Sequence, residues 1–504
     1  MKKIKDSSPK YYLNDDGEFV IENFNYSKQF ANFFPGIAGK YGIHMWTFYV
    51  NRGQAISCFG TRGKAHAFLE FFPANKAWQL VTTYGFRTFI KVPGKKGPTL
   101  YEPFHNGFVN YGFKLTNRMR ISTHALILEE ENFTLGLSVK VEYFNIPNDS
   151  YAGLARTVTV KNTGKSSKNI QLLDGLPQVV PYGTNNLFLK QLGRTIEAWM
   201  HVDNLENGVP YFKLSVDPTD RPEVIHIKEG NFYLGFTTEK GKSRIIKPVV
   251  DPECVFGPIS DFSLPKEFLT TNSYKYPKDQ ILDSKMPCAF LPIDTVLPAG
   301  ESKVFYAVAG YMRSIQQLNS SIKRIACPEY ILKKKTENKE VIDSLKGEMF
   351  TRSSCPEFDL YSGQNYIDNI MRGGYPEVFK FGKSEIVYYL YSRKHGDLER
   401  DYNRFAIQPA YFSQGNGNYR DINQNRRCDT WFNPEVRDEN LVYFFNLLQI
   451  DGFNPLIVKG ASFIIKDENY LKVILKDLVD PDHIDLLRGF LSKQIGRASC
   501  RERV

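Results

Sequence analysis

The chain has 504 residues, 42% hydrophobic and 24% charged, which is the balance of a folded globular protein long enough for two or three domains. Net charge is +10, from 65 Lys and Arg against 55 Asp and Glu. The basic residues lie in scattered short runs such as Lys95–Lys96 and Lys333–Lys335, without an arginine-rich arm or zinc-finger spacing, so nucleic-acid binding would rest on net charge alone.

The N-terminus, MKKIKDSSPKYYLNDDGEF, has lysines with no apolar run behind them, which predicts neither a signal peptide nor a membrane span. Seven spread cysteines (Cys58, Cys254, Cys288, Cys327, Cys355, Cys428, Cys500) form no CxxC pair, and a reducing, cytoplasmic setting is expected. From about residue 11 to 310 the pattern is that of strands. Phe133 to Tyr143 alternates apolar and polar, Leu154, Val158 and Val160 repeat the alternation, and Asn162-Thr163-Gly164 supplies a turn. Similar runs at Tyr211–Val216, Phe232–Phe236 and Val304–Ala309, punctuated by Gly, Pro, Asn and Asp, predict a large N-terminal β-sandwich over residues 1–310.

The period then changes. Ile315, Leu318, Ile322 and Ile325 are spaced for one helix face, stopped by Pro328, and Tyr330–Leu345 reads as a second, charged helix. Residues 311–355 are therefore expected to be a helical linker. Beyond Cys355 the signals are mostly helical: Asn365–Arg372 ending at Gly373-Gly374, a stripe of Leu441, Phe444, Phe445 and Leu448 ended by Asp451-Gly452, then Leu471–Val479. Residues 356–493 are expected to open an all-α domain with functional loops at one end. The last eleven residues, QIGRASCRERV (494–504), read as a translated sequencing adapter rather than a native tail.

Motifs for several chemistries are missing. His44, His66, His105, His124, His201, His226, His395 and His483 show no HExxH or HxH spacing, so no metal site is expected, and no GxSxG elbow supports a serine hydrolase. Gly415-Asn416-Gly417 lacks the context of a phosphate loop and reads as a turn allowing close backbone approach. The polar stretch that follows it is denser in chemistry. Arg420 beside Asp421 offers a carboxylate that accepts sugar hydroxyls and a guanidinium that orients it and donates to a further oxygen. The amides of Gln424 and Asn425 both donate and accept, as a hydroxyl requires, and Trp431 and Phe432 could stack on a sugar face. Arg426 and Arg427 are equally well read as members of a salt-bridged loop between helices.

The string Tyr419-Arg420-Asp421, with Gln424 three residues on, resembles the YRDxxQ segment of inverting β-glucoside phosphorylases related to cellobiose phosphorylase. QGNGNYRDINQNRR…WFNPEV…DGFNPL, with PGIAGKYGIHMWTFYVNRG near the start, is most similar to the branch acting on β-1,3-oligoglucans, and the likeness runs through almost all of residues 11–493. Asn425 departs from the acid that relatives often carry there, which points away from cellobiose itself. The resemblance implies a multidomain β plus α chain: an N-terminal β-sandwich, a helical linker and the start of an (α/α)6 barrel. It implies that Arg420 and Asp421, helped by Tyr419, Gln424 and Asn425, hold the terminal glucosyl unit of a β-glucan. The implied reaction is reversible phosphorolysis to α-glucose 1-phosphate, with inorganic phosphate as co-substrate and no metal or organic cofactor, in a family whose members are often homodimers. The family's general acid and phosphate ligands lie in later barrel loops, so both are expected beyond Lys493 and the chain as written is expected not to turn over. Competing readings are an inverting β-glucan hydrolase on the same scaffold and a catalytically silent carbohydrate-binding protein.

Overall fold

The computed structural model describes residues 8–94, 97–382, 384–394, 405–461 and 469. The predicted helix at Leu471–Val479 and the tail 494–504 lie outside them. The chain is mixed β and α, with large antiparallel sheets, and divides into two compact units, the first running to Gly347 and the second beginning at Glu348.

The first unit is built on an eleven-stranded antiparallel sheet. At its centre Leu137–Asn145 pairs with Ala152–Asn162, which pairs in turn with Ser302–Met312. Val139 faces Val160 and Val141 faces Val158 across the ladder, all four buried, while Lys140 and Lys161 point away. Each such aliphatic side chain removed from water stabilises the fold by about 1.5–3 kcal/mol, which fixes the register because a one-residue slip would turn the whole set outward. The predicted strand from Phe133 starts later, at Leu137. Phe133 to Gly136 form the turn from the preceding strand Leu126–Asn132, with Asn132 Oδ1 accepting from the Thr134 and Leu135 amides. Alternation alone could not show that break.

Two four-stranded sheets contribute to the same core: Ala289–Leu297, Lys168–Leu176, Arg87–Val92 and Thr99–Tyr101 in one, Ala31–Phe34, Trp46–Val50, Ile56–Gly60 and Ala67–Leu69 in the other. A buried polar network ties Ala152–Asn162 to Lys168–Leu176. Arg156 donates to the Asp174 carboxylate and to Gln54 Oε1, and Thr88 Oγ1 donates to Asp174 at 2.6 Å. Nearby, Arg87 forks onto both oxygens of Glu102, at 2.6 and 2.9 Å.

The predicted helix carrying Ile315, Leu318, Ile322 and Ile325 is present and spans Ile315–Ile325. Ser314 Oγ caps it by accepting from the Gln317 amide at 3.1 Å, and Leu318, Ile322 and Ile325 are buried in a second core. Pro328 ends that pattern by opening the next helix, Pro328–Gly347, at a position where its missing N–H is no loss.

In the second unit the helix Pro356–Gly373 leads into a hairpin, Tyr375–Phe381 with Ser384–Leu390. The sequence pattern here predicts mostly helices. The two runs instead carry Val378, Phe379, Ile386 and Val387 as strand formers around Gly382, whose φ of 61° suits a tight turn.

Candidate functional site

The YRDINQNR stretch is a helix, Tyr419–Arg426, where a polar loop was expected. A two-residue strand, Gly417–Asn418, pairs with Ile457–Val458 and delivers the chain to the first helical turn. Gly415 is where the backbone passes closest to its neighbours: its N–H donates to Ser392 O at 2.6 Å, and a Cβ there would stand 1.9 Å from Ala406 O. The predicted turn is not present: Gly415 makes an antiparallel bridge with Ile407 and Gly417 opens the short strand, while the close backbone approach is found at Gly415. Ile422 and Arg426, four residues apart, form the buried face of the helix.

Helical geometry divides the five predicted site residues. Arg420 and Gln424 lie on one exposed stripe. Arg420 Nε and Nη2 reach a single oxygen of Asp421, at 3.3 and 3.2 Å, while Asn418 Nδ2 donates to the other at 3.0 Å. The Arg420 side chain is 85% exposed and that of Asp421 27%. Asn425 is turned back on the helix, donating to Asp421 O at 2.6 Å, so this amide serves the backbone. Tyr419 points the other way, into a small core with Ile422, Phe444 and Val458, and donates to Phe444 O at 3.2 Å. Arg420, Asp421 and Gln424 are accessible together; Tyr419 and Asn425 act as supports.

Arg426 lies in the helix and not in a loop, and among the described residues it forms no salt bridge. Its Nε donates to Gly373 O at 2.7 Å and its guanidinium lies 3.4 Å from the centre of the Tyr389 ring. Burial pushes its pKa down. Arg427 is exposed and donates to Gln424 O at 3.2 Å. Trp431 is exposed and free to stack, whereas Phe432 packs on Tyr366 with ring centres 5.0 Å apart.

Asp429 is the group the sequence reasoning did not single out. Its carboxylate is buried and accepts from Tyr389 Oη at 2.6 Å and Asn440 Nδ2 at 2.9 Å. Desolvation raises its pKa above the ordinary carboxylate value, opposed by these bonds and by Arg426. With Tyr419, Asn423, Arg427 and Asn440 it lines a cavity of about 400 Å³, to which Leu441, Phe444, Phe445 and Leu448 contribute apolar surface. No local pattern marks it, because its partners Tyr389 and Asn440 are brought to it by other elements. Among the described residues no group of His, Cys, Asp and Glu could hold a metal ion, and no helix is long and apolar enough to cross a membrane.

No family model and no curated protein matches the chain. Among solved structures it is similar to a bacterial glucoamylase complexed with acarbose, at 10% identity and a TM-score of 0.39, over 84% of this chain and 51% of that one. It is also similar to a candidate kojibiose phosphorylase from the human microbiome, at 9% identity and 0.26, over 74% of this chain and 40% of that one. A third similarity is to a galactose mutarotase-like protein from Clostridium acetobutylicum, at 9% identity and 0.26, over 61% of this chain and 99% of that one. The chain spans about half the length of the glucoamylase and less of the phosphorylase.

Proposed function

We propose that the chain carries the sugar-gripping part of a carbohydrate-active enzyme, an inverting phosphorylase of β-glucosides, with a β-1,3-oligoglucan as the favoured substrate. The observation that carries this reading is the YRDxxQ string, with Arg420, Asp421 and Gln424 accessible on the motif helix. In this reading the sheets of the first unit form the family's β-sandwich, and the second unit is the opening of its (α/α)6 barrel. Asp421 accepts two glucosyl hydroxyls while Arg420 and Gln424 bond to neighbouring oxygens, and Asn425 and Tyr419 hold the helix that presents them.

The reaction needs one carboxylic acid to protonate the leaving glycosidic oxygen, while phosphate attacks the anomeric carbon from the opposite face. Phosphate takes the place of the base-activated water of an inverting hydrolase. The proton donor and the phosphate ligands belong, in this reading, to residues beyond Lys493. The 504 residues therefore bind sugar without turning it over, in a cytoplasmic enzyme that works without metal or organic cofactor and pairs as a homodimer.

Calorimetric titration with a β-1,3-glucan oligosaccharide is the test. Wild-type chain should bind it, and Arg420→Ala and Asp421→Ala should each weaken binding at least about tenfold, the loss expected for a charge-assisted hydrogen bond. Equal affinity in wild type and both variants would remove the reading. Release of glucose 1-phosphate by this chain would overturn the placement of the proton donor, and phosphate-independent release of glucose would favour the hydrolase.

A further inference from the structure

Two asparagines in this chain stand at the N-cap position of a helix, and they are used differently. Asn185 precedes the helix Asn186–Gln191, and its side chain accepts from the Leu187 amide at 2.8 Å, the ordinary way to satisfy a first-turn N–H. Asn418 precedes the helix Tyr419–Arg426, and its side chain caps no first-turn amide. Its Nδ2 donates instead to Oδ2 of Asp421, at 3.0 Å. An ionised carboxylate only accepts, so the amide must present its NH2 to Asp421. A cap that would stabilise the helix has been given up for a bond to one carboxylate.

The backbone beneath Asn418 is held on both sides. Gly417 and Asn418 pair with Val458 and Ile457, and the Tyr419 N–H donates to Leu456 O at 3.2 Å. The Tyr419 ring lies in the small core with Ile422, Phe444 and Val458. A Cβ at Gly417 would come within 2.5 Å of Ile422 Cδ1, so strand and helix pack without a gap. Asn418 is therefore a half-buried donor on a fixed backbone. The other partner of Asp421, Arg420, is 85% exposed and meets Oδ1 only at 3.2 and 3.3 Å. One oxygen of Asp421 has a partner free to swing away; the other has a partner that stays.

We propose that Asn418 is the positioning residue of the sugar site. It holds Oδ2 so that the carboxylate keeps one orientation while Arg420 leaves Oδ1 and turns to the ligand. The vacated oxygen then meets a glucosyl hydroxyl already aimed, which lowers the ordering cost of binding. This role rests on the reading of Arg420 and Asp421 as sugar contacts.

The test is calorimetric titration of the full chain with the β-1,3-glucan oligosaccharide, comparing Asn418→Ala, Asp421→Ala and the double variant. Asn418→Ala should weaken binding about tenfold, the loss expected for a hydrogen bond to a charged group. In the Asp421→Ala background the same substitution should change affinity by less than about twofold, because Asn418 acts through that carboxylate. Asn418→Asp separates positioning from capping: an aspartate is a favoured N-cap but cannot donate to Asp421. Its unfolding midpoint should be no lower than that of Asn418→Ala, while its affinity falls at least as far. Side-chain ¹H–¹⁵N spectra give a readout that needs no sugar. One Asn418 Nδ2 proton should be hydrogen-bonded in wild type, stay so with the oligosaccharide bound, and lose its bond in Asp421→Ala. Additive losses in the double variant, or affinity that tracks only the folded fraction, overturn the positioning role. An Asn418 signal indifferent to Asp421→Ala overturns the bond itself. Sugar binding that needs Asp421 but ignores Asn418→Ala sinks this proposal alone, whereas binding indifferent to Asp421→Ala removes the underlying reading and this role with it.

Discussion

Two Arg–Asp pairs in this chain have the same chemistry and opposite circumstances. Arg156 and Asp174 have side chains 1% and 2% exposed, and Asp174 is further bonded by Thr88 while Arg156 also reaches Gln54 and Tyr143. Arg420 and Asp421 meet over more than 3 Å at the surface, and much of the guanidinium faces water. The first pair is saturated by its neighbours, so it can hold two sheets together and can do nothing else. The second can exchange its mutual contact for a ligand's oxygens at small cost. Residue type and spacing alone do not separate a structural pair from a binding pair; burial and the count of remaining partners do.

The strongest way to break that comparison is Asp174→Ala. It leaves the Arg156 guanidinium buried and uncompensated, and the expected loss is about 3–5 kcal/mol, read as a lower denaturant midpoint of the first unit. A cost no greater than that of Asp421→Ala would erase the contrast.

A second buried group tests the same idea through pH. Glu130 accepts from Tyr101 Oη at 2.8 Å and from the Phe104 amide at 2.9 Å, yet burial lifts its pKa from an ordinary 4.5 to about 7. The folded chain therefore binds this proton more tightly than the unfolded chain does. That contribution to stability is complete below pH 4.5 and is lost as the pH rises through about 7. Between those limits stability should fall by up to about 1.4 kcal/mol per pH unit from this group, and Glu130→Gln should flatten that part of the profile. An unchanged profile in the variant would show that the carboxyl is ionised at no net cost.

How much of this could be read from the sequence varied with what the side chains contact. The helix Ile315–Ile325 was legible because its apolar stripe and the following proline are local signals. The strands of the first unit were legible by alternation, though not the turn at Phe133–Gly136, where the alternation runs on through the hairpin, and the hairpin Tyr375–Phe381 with Ser384–Leu390 was not legible. The motif helix was not legible. Its buried stripe consists of Ile422 and Arg426, and partners distant in sequence, the Tyr389 ring and Gly373 O first among them, make an arginine behave as a core residue. The same long-range packing hid Asp429.

That cluster gives the third prediction, smaller in stability than the two before it. Asp429→Ala removes the acceptor for Tyr389 and Asn440 inside the second unit, at an expected cost of about 1–3 kcal/mol. Asp429→Asn keeps an acceptor oxygen and should recover most of it. If both variants cost the same, the cluster works through charge on Arg426 and not through hydrogen bonds.

The smallest expected effect on stability is the most informative. Arg420→Ala removes an exposed side chain whose ion pair is long and screened by water, so the unfolding free energy should change by no more than about 0.5 kcal/mol. Sugar affinity in the same variant should still fall by at least about tenfold, because a ligand hydroxyl bonded to the guanidinium loses its charge-assisted donor, which the neutral amide of Gln424 does not replace. A residue that merely capped or braced the helix would show the reverse, with stability falling and affinity following only through loss of folded protein. Arg156→Ala supplies that reverse pattern within the same chain: its guanidinium serves Asp174, Gln54 and Tyr143, so stability should fall while the folded fraction binds sugar normally. Measuring both quantities in both variants decides whether exposure and unspent hydrogen-bonding capacity, more than the Arg–Asp motif itself, mark the binding pair.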